Sequence, residues 1–323
     1  MIGVMLLHIG DDYIYVIEGE PNYYYTIGNL CLSLTLFGVP CFLMISGGFL
    51  LSNNRNKDFG YFYKKSFRHI GLPVLIMSLL YVLYNIAKLY YHKSIGMEVL
   101  DTPITYLKEW LIGSPFYHMW YMYMLITIYL LVPVLIRAKE QMTWAELRNL
   151  AIFSMITSII MMHTTEFKVH WGLKGVVFLS YFLIGDVIKT YYEGRKSEKA
   201  GKYILFGYLI LFAFFLYREY TVRSGVDDFL YKDAGNFSIF VVLASILIFS
   251  GFANVNVKGN WSRIAEKSFY MYLLHAGIID VTYNIVPERG NPIFVVPFMF
   301  VLSFACSYIF SAIVLNIEKR IKK

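Results

Sequence analysis

In the opening stretch MIGVMLLHIGDD, His8 is followed by Asp11 at i+3 and Asp12 at i+4. On a helix those spacings put both carboxylates on the imidazole's face. A carboxylate that accepts from one ring nitrogen fixes the tautomer and raises the basicity of the other, which is how a histidine becomes a general base for a hydroxyl. The same spacing also suits a core histidine beside hydrated acids at a helix end.

Other residue groups offer binding chemistry. In YFYKKSFRHIGLPV, Lys64 and Lys65 read as positive anchors, whereas Arg68 is followed almost at once by apolar sequence. A guanidinium at a membrane edge must find an anion, which a nucleotide-bearing acyl carrier or a lipid phosphate would supply. The run GVPCFLMISGGFLL holds Gly38, Pro40, Ser46, Gly47 and Gly48; small residues let helices approach closely, and Gly-Gly with Pro can break a helix at a cavity. In SPFYHMWYMYML, Trp120 and the tyrosines fit an aromatic belt, and His118 fits either that belt or a hydrogen bond to a sugar hydroxyl. His275 and Asp280 lie within the apolar run SFYMYLLHAGIID, and an ionisable group inside a span is a functional-site hypothesis by default. Glu166 and His170 fall on a short connector, and Asp186 with Lys189 forms a possible pair. There is no G-x-S-x-G elbow, no H-E-x-x-H site and no P-loop, so hydrolase and nucleotide-motor readings lose their support.

The elements that must position these residues are membrane helices. Of 323 residues, 58% are hydrophobic and only 16% charged, outside the range of an ordinary soluble domain. Apolar windows long enough to cross a bilayer end near Val16, then run Tyr24 to Leu51, Ile70 to Tyr90, Tyr117 to Ile136, Leu147 to Met162, Trp171 to Tyr191, Tyr203 to Tyr217, Phe237 to Ala253, Ser268 to Val286 and Ile293 to Leu315. The expected fold is an all-α integral membrane protein of about ten transmembrane helices, residues 1–323 forming a single domain. Lys and Arg gather after every second span, at Arg55 to Arg68, Arg137 to Arg148, Arg195 to Lys202, Lys258 to Lys267 and Lys319 to Lys323. Acids dominate the other connectors, with Asp11, Asp12, Glu18, Glu20, Glu98, Asp101, Glu109, Asp227, Asp228 and Asp233. By the positive-inside rule both termini are cytoplasmic and His8 approaches the outer face. The net charge of +7 follows from those loops rather than from a basic stripe, which argues against nucleic acid as a partner. Cys31, Cys41 and Cys306 lie in apolar runs and suggest neither a disulfide framework nor a metal site. The first span has only seven apolar residues before His8, which leads us to expect that it is truncated at its N-terminus.

In order along the chain, GVMLLH, VPCFLMISGGFLL, FYKKSFRHIGLPVLIMSLLY, HMWYMYMLITIYLLVPVL, FLSYFLIGDVI and SFYMYLLHAGI resemble the acyltransferase 3 family of membrane O-acyltransferases. The resemblance implies transfer of an acyl group, usually acetyl from cytoplasmic acetyl-CoA, to a hydroxyl of an extracytoplasmic or lipid-linked glycan at a bacterial-type inner membrane. It also implies that His8 is the central catalytic residue. The arginine that the family carries about eleven residues upstream of that histidine would precede Met1. The family's serine-glycine-phenylalanine block falls on Ser46, Gly47 and Phe49 with Gly48 inserted, and its basic third-span start falls on Arg68.

The expected site is therefore His8 oriented by Asp11 or Asp12, with Arg68, Lys64 and Lys65 holding acyl-CoA. Ser46, Gly47, His118, Trp120 and His275 are expected in support. A transporter or flippase for a small polar or glycan substrate is the alternative, since many spans with intramembrane histidines also suit transport; inverted repeats with paired broken helices would favour it and none is evident. A scaffold or uptake module is a third reading.

Overall fold

The computed structural model describes residues 1–14, 22–164, 174–193, 195, 199–225, 235–255, 262–285 and 290–321. Glu18, Glu20, Glu166, His170, Lys196, Asp227, Asp228, Asp233, Lys258, Lys322 and Lys323 lie outside the described residues. The helices are α1 Ile2–Asp11, α2 Tyr23–Thr35, α3 Gly38–Leu50, α4 Phe59–Ser66, α5 Leu72–Ser94, α6 Pro103–Ile112, α7 Trp120–Lys139, α8 Trp144–Thr164, α9 Gly175–Tyr192, α10 Ala200–Ser224, α11 Ile239–Asn254, α12 Ser262–Ile285 and α13 Pro292–Ile321. No strand occurs among the described residues.

The described part of every apolar window is largely helical, and among the described residues length and hydropathy qualify six stretches to cross a membrane: Tyr23–Leu50, Phe59–Ser94, Trp120–Lys139, Trp144–Thr164, Ala200–Ser224 and Pro292–Glu318. Helices α1 and α11 are apolar but shorter. The small-residue run of the second span breaks earlier than Gly47-Gly48. The turn comes at Leu36 and Phe37, and Pro40 then sits in the first turn of α3, where its missing N–H costs nothing. Helix α3 continues unbroken through Ser46, Gly47 and Gly48.

Contacts divide the chain into two compact units, one of Met1–Met44, Ile159–Thr165 and Ile188–Lys323, the other of Ile45–Ser158 and Glu166–Val187. In the first unit, α1 packs against α2, α12 and α13. Ile9 and Tyr13 of α1 and the turn after it join Ile279, Val296 and Met299 in one buried cluster. The α1–α2 crossing is close because both helices lack a side chain there: a Cβ at Gly10 would stand 2.5 Å from Cys31 Cβ, and one at Gly28 would stand 2.6 Å from the Gly10 carbonyl oxygen. Helices α10 and α11 use the same device at Gly207 and Gly251.

In the second unit, α4 passes into α5 through a five-residue π turn, Phe67–Gly71, a distortion frequent at functional sites. Ser158 of α8 donates to the Val177 carbonyl of α9 at 2.8 Å. The short helix α6 is capped by Thr102 and ends on Gly113 at φ 90°, a left-handed conformation that glycine adopts without penalty. Trp110 of α6 donates to Ser78 Oγ of α5 at 3.0 Å, which ties this helix to the unit.

Candidate functional site

Helix α1 carries His8 on a face set by its crossing with α2. Gly3 and Gly10 turn towards Thr35, Gly28 and Cys31 of α2, and the 100° step per residue places Met5, His8 and Asp12 on the opposite side, with Asp11 at its flank. His8 is half-buried. Its ring lies 5.4 Å, centre to centre, from the ring of His275 on α12, with the planes tilted by 34°. His275 is fully buried. Its Nδ1 lies 2.6 Å from the Tyr272 carbonyl oxygen, and because a carbonyl oxygen only accepts, Nδ1 carries the hydrogen. The neutral ring therefore has Nε2 as an acceptor. The Tyr272 ring lies 5.3 Å from that of His275. Tyr283 of α12 donates to the Ile9 carbonyl at 3.1 Å, which pins α1 to α12 one residue beyond His8.

The two carboxylates after His8 are on its face of the helix. Asp11 is also within electrostatic reach of Arg218 on α10 and of Asp12. Arg218 is only 4% exposed and lies over the Phe214 ring at 5.8 Å. The next residue, Glu219, accepts from Asn29 Nδ2 at 2.9 Å, from the Thr26 hydroxyl at 3.2 Å and from Arg223 at 3.0 Å. Sequence reasoning passed over Arg218 and Glu219, because hydropathy ends the seventh window at Tyr217; a charged pair so close to an apolar run was the available signal.

The remaining predicted site residues fall in the second unit. Lys64 and Lys65 are exposed on α4, and Arg68 is exposed on the π turn. Lys65 lies over the Tyr61 ring at 5.6 Å. Ser46 shares a hydrogen bond with the Tyr129 hydroxyl of α7. At Gly47 a Cβ would run into the Phe182 carbonyl of α9, so α3 and α9 meet backbone to backbone there. His118 is fully buried, boxed by the edges of Tyr81 at 5.3 Å and of Phe116 and Tyr117 at 5.8 Å each, and Trp120 packs on Phe178 at 5.6 Å. Asp186 pairs with Lys139 of α7 at 2.7 Å with its side chain fully buried. A cleft lined by Lys57, Asp58, Arg137, Glu140 and Gln141 balances two cations with two carboxylates. Among the described residues, no group of three His, Cys, Asp or Glu side chains is placed to hold a metal ion.

The geometry thus brings together His8, His275, Asp11 and Asp12, with Arg218 beside Asp11. It offers a half-buried imidazole beside a fully buried one, which suits proton transfer or nucleophilic attack at an acyl centre. The family model described as an acyltransferase domain matches residues 1–312. Comparisons with curated proteins and with solved structures give no match.

Proposed function

The chain belongs to the acyltransferase 3 family, and from that premise we propose that this membrane acyltransferase moves an acetyl group from cytoplasmic acetyl-CoA to a hydroxyl of an extracytoplasmic or lipid-linked glycan. The observation that carries the reading is the half-buried imidazole of His8 on a short, tightly crossed helix within a family-matched chain. In the reaction, His8 takes the proton of the acceptor hydroxyl as its oxygen forms a bond to the thioester carbonyl carbon. The tetrahedral intermediate then collapses, the C–S bond breaks, and the departing thiolate recovers the proton from the imidazolium. A covalent route would use the same lone pair to attack the thioester carbonyl, expelling the CoA thiolate and leaving an acyl-histidine that the acceptor hydroxyl then attacks, its proton passing to the thiolate and the imidazole leaving; trapping the acyl-histidine with labelled donor distinguishes the two routes.

Lys64, Lys65 and Arg68 are assigned to the donor's phosphates, since exposed cations at the end of α4 and on the turn that follows it can reorient onto a polyanion. Within the second unit, Ser46 and Gly47 pack with Tyr129 and Phe182, and His118 and Trp120 sit among aromatic rings. We place the chain in a bacterial-type inner membrane by its family resemblance, and the positive-inside distribution supports about ten spans with both termini cytoplasmic. The test is acyl transfer in membranes bearing the chain, with radiolabelled acetyl-CoA: label should reach glycan, and His8→Ala should reduce the rate by about 10²-fold or more. Equal labelling by the variant at equal protein level would refute the assignment.

A further inference from the structure

Helix α6 has no buried residue, although the helices on either side of it in the chain are long and apolar enough to span a membrane. Its Ile104, Leu107 and Leu111 are 61%, 45% and 69% exposed, and at 100° per residue they fall within one arc of about 60°. Glu109 lies across the helix from that row, next to Thr105, and Lys108 lies at the row's flank. A row of large aliphatic side chains opposite a polar face needs a cover, and the depth of the helix says which one.

Helix α5 supplies the scale. Its exposed residues Leu72, Ile76, Leu79, Leu83, Ala87 and Tyr90 recur at three- and four-residue steps, so they form a single stripe, which rises about 27 Å at 1.5 Å per residue. That is close to the roughly 30 Å hydrocarbon thickness of a bilayer, and the stripe marks where lipid lies along the span Phe59–Ser94. Helix α6 is tied within that length. Trp110 donates to Ser78 Oγ on the buried face of α5 at 3.0 Å, and the Tyr123 hydroxyl of α7 shares hydrogen bonds with both. Asn85 Nδ2 donates to the Pro115 carbonyl at 3.1 Å, and the Phe116 ring stacks on that of Tyr81 at 4.4 Å. Along the helix, Asn85 and Ser78 lie about 8 and 18 Å inside the Tyr90 end of the stripe. The chain from Gly113 to Met119 is non-helical at that depth, which hydrocarbon tolerates only where protein covers the backbone. Gly113, Pro115 and Met119 are buried there, and the Asn85 amide occupies the Pro115 carbonyl.

We propose that α6 is an interfacial helix that sinks its Ile104, Leu107 and Leu111 row among the acyl chains of the leaflet at the C-terminal end of α5, the outer one by the positive-inside distribution. Lipid is the occupant of the row because the C-terminal end of α6 is held at the depth of the lipid-facing stripe of α5, and because the charges are placed for water. Glu109 faces away from the row, Lys108 reaches past it along its own alkyl stem, and Asp101 before the helix accepts from the Tyr106 hydroxyl at 3.2 Å. The segment from α5 to α7 is thus a shallow re-entrant hairpin rather than an aqueous connector. No residue assigned to acyl transfer takes part, so the two readings fail separately.

The test uses the full chain in liposomes, in a cysteine-free background. Nitroxide labels at Ile104→Cys, Leu107→Cys, Leu111→Cys and Glu109→Cys are read by EPR for collision with oxygen, which concentrates among acyl chains, and with a neutral nickel chelate, which stays in water. The oxygen-to-nickel collision ratio at positions 104, 107 and 111 should exceed that at 109 several-fold. A ratio equal at all four positions, or nickel collisions prevailing at 107 and 111, overturns the proposal, since the row then faces water. Low access to both reagents at 107 and 111 overturns it too, because a second copy or another protein then covers the row. The unsubstituted chain gives a reading that depends on no substitution: a phospholipid with a diazirine in its acyl chain should cross-link to residues between Ile104 and Leu111, and cross-links confined to α5 in this part of the chain overturn the proposal.

Discussion

At Asp11 two partners compete for one carboxylate. Helical spacing puts it on the face of His8, and the fold puts it within the field of a guanidinium that is 4% exposed. A buried cation is costly without a countercharge, and the Asp11 carboxylate is one that the Arg218 charge reaches. Asp11→Asn should therefore cost stability more than turnover. In a double-mutant cycle with Arg218→Met, the two changes should couple by about 0.5–3 kcal/mol in unfolding free energy, and additivity would mean that the two side chains do not interact. The imidazole at position 8 was legible from its place at the end of an apolar run. Its partner was not: His275 stands out as an ionisable residue inside a span, but periodicity along one helix says which face a residue occupies and nothing about which distant helix that face meets. Arg218 was missed for the opposite reason, since charge at the margin of an apolar window reads as a loop, whereas α10 continues to Ser224.

Among the elements, two glycine crossings set the position of everything above. Gly10 and Gly28 bring α1 against α2 with no room for a Cβ. Gly10→Val should thus lever α1 away and lose about 1–3 kcal/mol, together with acyl transfer, because His8 is two residues from the crossing; thermal unfolding and the transfer assay read both. Gly47→Ala should cost a similar amount within the second unit, since the clash there is with the Phe182 backbone and no side chain can yield. The sequence marks both sites as small residues in apolar runs, which is enough to expect close approach. It did not say where the second span would turn: the break falls at Leu36 and Phe37, ahead of Pro40, because proline is accommodated at a helix start, and Gly47 lies within α3 packed against the α9 backbone. The π turn at Phe67–Gly71 was equally invisible, as no residue type demands one.

For the molecule as a whole, composition reads out the environment, and alternation of basic and acidic connectors predicts an orientation. Single cysteines placed at Lys65 and at Lys108 in a cysteine-free background should react with an impermeant maleimide from opposite sides of sealed vesicles, Lys65→Cys from the cytoplasmic side; labelling of both from one side would refute the topology. Helix identity and approximate placement were legible because hydropathy acts locally along the chain. The division into two compact units was not, since it depends on contacts between segments far apart in sequence. The proposed acyl transfer depends first on His8. The most direct measurement is the rate of CoA thiol release from acetyl-CoA by the purified chain in nanodiscs with glycan acceptor, set against His8→Ala at matched unfolding midpoint. We predict acceptor-dependent release that falls by about 10²-fold or more in the variant; release at an undiminished rate from the folded variant would contradict the account.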